Sequence, residues 1–219
     1  MKPFDVFQPG LHRGSAHLPH DPVKAYAFVE HPTEGWRVYL RSCLFLHAHD
    51  AHNLQQFLVV KRRGAHASSA TWEPPKGQME GKDLHANRSI LQNLTENVLR
   101  ETEEESHVTK VARLRHTGLV FQSQESNYPP NHFFQYHIFQ GIATPDQIKQ
   151  SFDTFQWIKE HPKGFARWRR DRREKDAVDW FHPRRTRLNP RWTPSIAMMY
   201  LQHAPPVPLG REHDSACEP

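Results

Sequence analysis

The sequence predicts an α+β domain, and three observations lead to this prediction. Segments rich in β-branched and aromatic residues, bounded by turn residues, indicate strands at residues 23–30, 35–46, 54–61 and 132–144. Apolar residues at helical spacing indicate helices at residues 89–106, from residue 145 onward and at 192–203. A chain of 219 residues is long enough for one such domain of about 150 residues together with extensions.

The predicted domain occupies residues 23–203, between two less regular ends. Residues 1–22 are rich in Pro, Gly and His and indicate an irregular N-terminal arm. Residues 204–219 contain several prolines and few apolar residues, which indicates a flexible C-terminal tail. Within the domain, we expect residues 146–176 to form a helical basic insertion.

The composition favours a soluble protein of the cytoplasm. Two cysteines, Cys43 and Cys217, are too few for a disulfide framework, which favours a reducing compartment. The chain has no run of 18 or more apolar residues, and its first twenty residues lack the apolar centre of a signal peptide. We therefore expect no membrane partner.

The segment 72–108 combines a turn with a helix. Prolines and Gly77 mark the turn, and Gly77 lets the backbone approach a ligand closely. Ser89 and Gln92 form a capping-box pattern, which predicts the start of the helix. From there to about Ser106 the sequence contains neither Gly nor Pro.

This helix places three carboxylates next to its apolar face, which consists of Ile90, Leu91, Leu94 and Val98. At about 100° per residue, Glu101 and Glu105 continue the apolar face and Glu104 lies at its margin. Like charges at this spacing repel, and partial burial adds a cost unless a proton or a cation compensates. A hard divalent ion, Mg²⁺ or Mn²⁺, suits oxygen ligands and would also hold substrate phosphates. The alternative is a solvated acidic helix end.

These residues resemble the signature of the Nudix hydrolases, which is Gly, five residues, Glu, seven residues, then Arg-Glu-apolar-any-Glu-Glu-any-Gly-apolar. The matching positions are Gly77, Arg100, Glu101, Glu104, Glu105 and Val108, and Lys76 belongs to a Pro-Pro-Lys that often precedes the first Gly in the family. Asp83 stands where the first Glu is expected, and about nine extra residues separate it from Arg100. Thr102 takes an apolar position, and His107 replaces the second Gly.

The resemblance implies an α/β/α sandwich around a mixed β-sheet, hydrolysis of a pyrophosphate bond, and a possible homodimer. It implies a metal site formed by Glu101, Glu104, Glu105 and the Gly77 carbonyl. Glu104 or Glu105 would complete the activation of water, with Glu125 from a later loop as a further candidate. Arg100 would orient a carboxylate. Lys76 and Arg62 would bind substrate. Arg62 lies near the end of a strand before the signature, where a solvated strand end is the alternative.

A second charged feature lies late in the chain. Residues 167–191 carry ten Lys or Arg against four Asp or Glu, with tryptophans between them. Such a segment could bind a polyphosphate or an RNA backbone, with Arg169 and Arg170 as candidate contacts. The alternative is a helix with internal ion pairs, namely Arg170 with Glu174 and Arg172 with Asp176.

Three classes of function agree with these observations. The first is a pyrophosphohydrolase that acts on nucleotide sugars, dinucleoside polyphosphates or modified nucleotides. The second is an enzyme that removes an RNA cap or a 5′ pyrophosphate, which the basic segment would favour. The third is a non-catalytic nucleotide- or RNA-binding module, which the altered signature would allow. The three retained glutamates favour catalysis.

Overall fold

The structure is a computed structural model that describes residues 2–66 and 71–207. Its strands are β1 (His12–Leu18), β2 (Asp21–Glu30), β3 (Arg37–Ala48), β4 (Leu58–Arg62), β5 (Trp72–Glu73), β6 (Lys76–Gln78), β7 (Ala112–Ser123), β8 (His132–Ala143) and β9 (Lys175–Trp180). Its α-helices are α1 (Ile90–Ser106), α2 (Pro145–Glu160), α3 (Pro162–Phe165) and α4 (Thr193–His203). None of these helices is long and apolar enough to cross a membrane.

Strand β3 is the centre of the larger sheet, whose order is β1-β2-β3-β8-β7. β3 and β8 pair in parallel from Arg37 opposite His132 to Ala48 opposite Ala143. The other edge of β3 pairs antiparallel with β2 and then with β6. A smaller sheet has the order β5-β4-β9. The strand layer is therefore mixed.

The helices cover both faces of the strand layer, because alternate residues of β3 point to opposite sides. Leu40 and Leu44 pack in one buried cluster with Leu94 of α1, and α2 adds partly buried residues to that cluster. On the other side, the Phe45 ring stacks on Tyr200 of α4, with ring centroids 3.6 Å apart. This is the predicted α/β/α sandwich around a mixed sheet, and the fold prediction is confirmed.

The start of helix α1 also agrees with the sequence. Ser89 accepts a hydrogen bond from the backbone N–H of Gln92, and the Gln92 side chain accepts one from the backbone N–H of Ser89. Three of the four residues of the predicted apolar face are buried, but Leu91 is 41% exposed. The helix ends at Ser106, and the φ of the next residue, His107, is 60°, which lies in the left-handed region. That conformation favours glycine, which explains why the signature has Gly at this position.

The prediction of an irregular arm over residues 1–22 is wrong for its second half. His12–Leu18 form β1, the edge strand of the larger sheet, which pairs antiparallel with β2. The segment contains few β-branched residues, so its own propensity does not indicate a strand. Pairing with the long strand β2 stabilises it. Residues 2–11 contain no helix or strand.

The predicted helical insertion at 146–176 ends earlier than expected. α2 and α3 extend to Phe165, a single 3-10 turn covers Asp171–Arg173, and β9 begins at Lys175. The ion pairs of the alternative interpretation, Arg170 with Glu174 and Arg172 with Asp176, are not formed in this described part of the chain. Instead, Arg172 pairs with Glu103 of α1, and Asp176 pairs with Lys61 of β4 at 2.7 Å. Of the predicted tail, residues 208–219 lie outside the described residues.

Candidate active site

The turn after β5 brings Gly77 against the carboxylate of Glu101. Gly77 lies in β6, opposite Ser42 of β3, and Ser42 Oγ donates a 2.6 Å hydrogen bond to Asn97 of α1. Asn97 lies about one helical turn before Glu101, so this contact fixes α1 against β6. A Cβ atom on Gly77 would lie 2.0 Å from the Glu101 carboxylate carbon. The site therefore requires glycine for its lack of a side chain.

Arg100 holds three carboxylates at one edge of the site. Its guanidinium group lies 3.0 Å from Asp83, 2.7 Å from Glu101 and 2.7 Å from Glu104. Asp83 also accepts a 2.9 Å hydrogen bond from the backbone N–H of Glu80. Asp83 therefore reaches the site in spite of the extra residues that separate it from Arg100.

Glu105 belongs to a buried network of alternating charge. Its carboxylate lies 2.8 Å from Lys175 Nζ and accepts a 3.0 Å hydrogen bond from the backbone N–H of Lys76. Glu73 in turn pairs with both lysines, at 3.0 Å in the case of Lys76. No side chain in this network is more than 16% exposed. The network ties β5, β6, α1 and β9 together around the site.

Burial makes the site carboxylates difficult to ionise. Burial raises the pKa of Glu101 to about 8, and the nearby Glu105 and Glu104 add to this effect, although Arg100 opposes it. Burial also raises the pKa of Glu104, again against the influence of Arg100. The protein therefore gains if a proton or a cation neutralises these groups.

Two cavities meet at these residues. The box cavity, of about 150 Å³, is lined on one side by Arg100, Glu101, Glu104 and Glu105. The basic cavity, of about 510 Å³, is lined by Arg41, Arg62, Arg63, Arg191, Tyr136 and Trp192 among others. Five residues line both cavities: Lys76, Gly77, Gln78, Glu105 and Glu174. A ligand could therefore extend from one cavity into the other.

The structure brings most of the predicted site residues together. Gly77, Glu101, Glu104 and Glu105 line the box cavity, and Arg62 and Lys76 line the basic cavity. Arg169 and Arg170 are exposed and line neither cavity. Glu125 also lines neither cavity, because its carboxylate pairs with Arg41 and Arg191 instead. The expectation that Glu125 joins the glutamates of α1 thus differs from the structure.

Sequence reasoning missed several residues of the site. Lys175 and Glu73 complete the buried network, and Arg41 and Gln78 line the basic cavity from β3 and β6. Glu174 lines both cavities, and its negative charge contributes to the raised pKa of Glu101. These residues lie on separate strands and loops, so no spacing in the sequence connects them. Only Arg41 could have been noticed from the sequence, because an arginine in the middle of an apolar strand is unusual.

The carboxylates are engaged by cationic side chains in this conformation. Within residues 2–66 and 71–207, no group of three or more His, Cys, Asp or Glu side chains is arranged to hold a metal ion as it stands. Arg100 holds Glu101 and Glu104, and Lys175 holds Glu105. The chemistry of these donors nevertheless suits a hard divalent ion, because they are crowded oxygen ligands, one buried and two partly buried, whose charges need compensation.

Comparisons with known proteins identify similar solved structures. No protein-family model and no curated protein sequence matches the chain significantly. Two structures named NUDIX hydrolase from Nitrosomonas europaea are similar to it, at 13% and 14% identity and TM-scores of 0.42 and 0.41. The first match covers 81% of this chain and 99% of the similar chain, and the second covers 93% of this chain and 95% of the similar chain. A mutT/nudix family protein from Listeria innocua is 22% identical, with a TM-score of 0.32, over 52% of this chain and 69% of its own. The sandwich fold and the site described above rest on the contacts of this chain itself.

Proposed function

We propose that this chain is a Nudix-type hydrolase that uses Mg²⁺ or Mn²⁺ to cleave the pyrophosphate bond of a nucleoside diphosphate linked to another group. The observation that carries the proposal is the contact between Gly77 and the buried Glu101 carboxylate. A solvated acidic helix end does not require a glycine against one of its carboxylates. A cation site that packs one of its carboxylates directly against the backbone does require glycine at that position.

The residues of the box cavity have complementary roles in this proposal. Glu101, Glu104 and Glu105 would hold the divalent cation together with the Gly77 carbonyl. When bound, the cation neutralises phosphate charge and lowers the pKa of water. Glu104 would accept the proton of the attacking water, since its side chain is 21% exposed and so within reach of solvent. Arg100 would position the Glu104 carboxylate through their ion pair.

Phosphate groups of the substrate would lie between the two cavities. Arg62 lines the basic cavity and would donate charge-assisted hydrogen bonds to phosphate oxygens. Lys76 lines the same cavity, but its ammonium group already pairs with Glu73. Tyr136 and Trp192 line the same cavity, and the partly exposed ring of Trp192 offers a surface on which a nucleobase could stack. This combination of cations and aromatic rings favours a nucleotide over a simple phosphate ester.

The test is nucleotide or phosphate release from ADP-ribose, NADH, diadenosine polyphosphates, deoxynucleoside triphosphates and capped RNA, with Mg²⁺ or Mn²⁺. We expect metal-dependent cleavage of at least one of these compounds, and a loss of about 100-fold or more in Glu104→Gln and Glu105→Gln. Glu103→Gln is the matched control, because Glu103 lies on the same helix but pairs with Arg172. The proposal is refuted if no compound is cleaved, or if the control loses as much activity as the other two variants.

Removal of an RNA cap or 5′ pyrophosphate is a second candidate. It is favoured by the loop 181–192, where Arg184 and Arg185 are exposed and Asn189 and Arg191 line the basic cavity. An RNA chain that leaves the cavity along this loop would meet further positive charge. The affinity for a capped RNA should then fall steeply with salt, whereas the affinity for a mononucleotide substrate should fall much less.

A further inference from the structure

Two buried hydrogen-bond donors along the basic cavity have no partner among the residues that the structure describes. Gln78 accepts a hydrogen bond from Arg41 through Oε1, at 3.2 Å, and its Nε2 is buried without any hydrogen bond. Nε1 of Trp192 is likewise buried without a partner in the described ranges. Both residues line the basic cavity, and Gln78 also lines the box cavity. Buried donors normally have acceptors, so these two indicate positions where acceptor atoms of a ligand would lie.

Two arginines of the same cavity share one carboxylate. The Glu125 carboxylate lies 3.5 Å from Arg41 and also contacts Arg191. The Arg41 side chain is only 6% exposed and its guanidinium group packs 4.2 Å from the centre of the Phe134 ring. A single negative charge thus balances two guanidinium groups, one of which is buried. This arrangement leaves an excess of positive charge next to the unpartnered donors.

The remaining charges of the basic cavity do not remove this excess. Lys76 and Lys175 are neutralised by Glu73 and Glu105 in the buried network. Arg62 and Arg63 lie at the rim, where the only further lining carboxylate is that of Glu174, among the residues that the structure describes. Because the lysines already have partners, the anion that the cavity favours would lie toward the arginines.

We propose that Arg41 and Arg191 form a second anion-binding subsite, which Glu125 occupies in the free protein and which a phosphoryl group of the substrate takes over. This inference rests on the proposed function and specifies its substrate class. The phosphoryl group would lie beyond the pyrophosphate bond that is cleaved at the box cavity. The row formed by Gln78, Arg41, Trp192 and Arg191 therefore selects a substrate with three or more linked phosphates, such as a dinucleoside polyphosphate, over a nucleotide sugar.

Glu125 then determines specificity and is not a metal ligand. Its carboxylate accepts charge-assisted hydrogen bonds from guanidinium groups, as phosphoryl oxygens also do. A phosphoryl group inside a polyphosphate chain carries one negative charge, as the carboxylate does. Its additional oxygens can also accept hydrogen bonds from the unpartnered donors of Gln78 and Trp192, so it can compete for the same two arginines. A neutral sugar cannot, and Glu125 would stay in place when such a substrate binds.

The experiment measures the binding of inorganic tripolyphosphate to the full chain by calorimetry, with a chelator present so that no divalent cation or hydrolysis contributes. Wild type should bind tripolyphosphate more tightly than pyrophosphate. Arg191→Gln should weaken tripolyphosphate binding about five- to tenfold, because a charge-assisted contact is lost. Glu125→Gln should strengthen it about threefold or more, because the competing charge is removed. Arg167→Gln is the matched control, since Arg167 is exposed and lines neither cavity.

The outcomes separate this inference from the proposed function. An equal loss in Arg191→Gln and Arg167→Gln would mean that the general basicity of the chain binds the anion, and it would overturn the subsite. Unchanged or weaker binding in Glu125→Gln would overturn the role of Glu125. A lower affinity of Glu125→Gln for Mn²⁺, measured by electron paramagnetic resonance, would return Glu125 to the metal site and also overturn it. If the wild-type protein hydrolyses no compound of the substrate panel, only the proposed function is refuted. Thermal melting of each variant confirms that it is folded.

Discussion

Gly77→Ala tests the geometry of the site directly. The new Cβ atom would lie 2.0 Å from Cδ and 2.1 Å from one carboxylate oxygen of Glu101. Non-bonded carbon atoms pack at about 3.5–4.0 Å, so the Glu101 carboxylate would have to move by about 1.5 Å. The side chain is enclosed by Arg100 and the neighbouring glutamates, so this movement disturbs the whole cluster.

The expected effects are large for so small a substitution. Overpacking of this kind costs about 1–3 kcal/mol of the free energy of unfolding. A displacement of about 1 Å in a catalytic group lowers activity about 100-fold, so kcat for the metal-dependent reaction should fall by at least that factor. Chemical denaturation and steady-state kinetics measure the two effects separately.

A double-mutant cycle with Glu101→Ala identifies the cause. In the Glu101→Ala background, the carboxylate that would clash with the new Cβ atom is absent. Gly77→Ala should therefore lower the free energy of unfolding by less than about 0.5 kcal/mol in that background. A cost that is the same in both backgrounds would show that Gly77 acts through its backbone conformation and would refute the steric reasoning. Wild-type activity in the single variant would refute it as well.

Three further predictions concern charge and stability. In the metal-free protein, the pKa of Glu101 near 8 lies above the ordinary value of 4.5, so the folded chain keeps a proton that the unfolded chain releases. The free energy of unfolding should therefore fall as the pH rises from about 4.5 to about 8, and Glu101→Gln should flatten this fall in denaturation curves recorded with a chelator. Lys175→Met leaves the buried Glu105 carboxylate without its ammonium partner and should cost about 3–5 kcal/mol, whereas Lys149→Met breaks an exposed pair and should cost less than about 1 kcal/mol, both measured by urea titration. Ser89→Ala removes the cap of α1 and should cost about 1 kcal/mol without changing the KM of the reaction.

The parts of the fold that depend on local sequence were predictable. The capping box of Ser89 and the phase of α1 fixed which glutamates lie near the core, and Glu105 is indeed buried. Strands β3 and β8, with their β-branched and aromatic residues, were also recognisable. In each case, the residues that determine the structure lie within a few positions of one another.

The parts that depend on distant contacts were not predictable from one sequence. The pairs of Arg172 with Glu103 and of Asp176 with Lys61 replace the local pairs that the spacing favoured. Glu125 fits a metal-site carboxylate by its place in the chain, yet two arginines from other elements decide its position. Charged side chains accept many partners, so the topology selects among them.

The two cavities differ in the structural elements that form their walls. This difference has a consequence for how the protein could acquire a new substrate specificity. The box cavity is formed by β6, α1 and a buried charge network, where most substitutions would destabilise the chain. The proposed subsite combines Arg41 of the central strand β3 with Arg191 and Glu125, which lie in the connections 181–192 (between β9 and α4) and 124–131 (between β7 and β8). Such connections tolerate insertion and exchange. Substrate range could therefore diverge, in evolution or by loop grafting, while the chemistry proposed for Glu101, Glu104 and Glu105 is inherited unchanged.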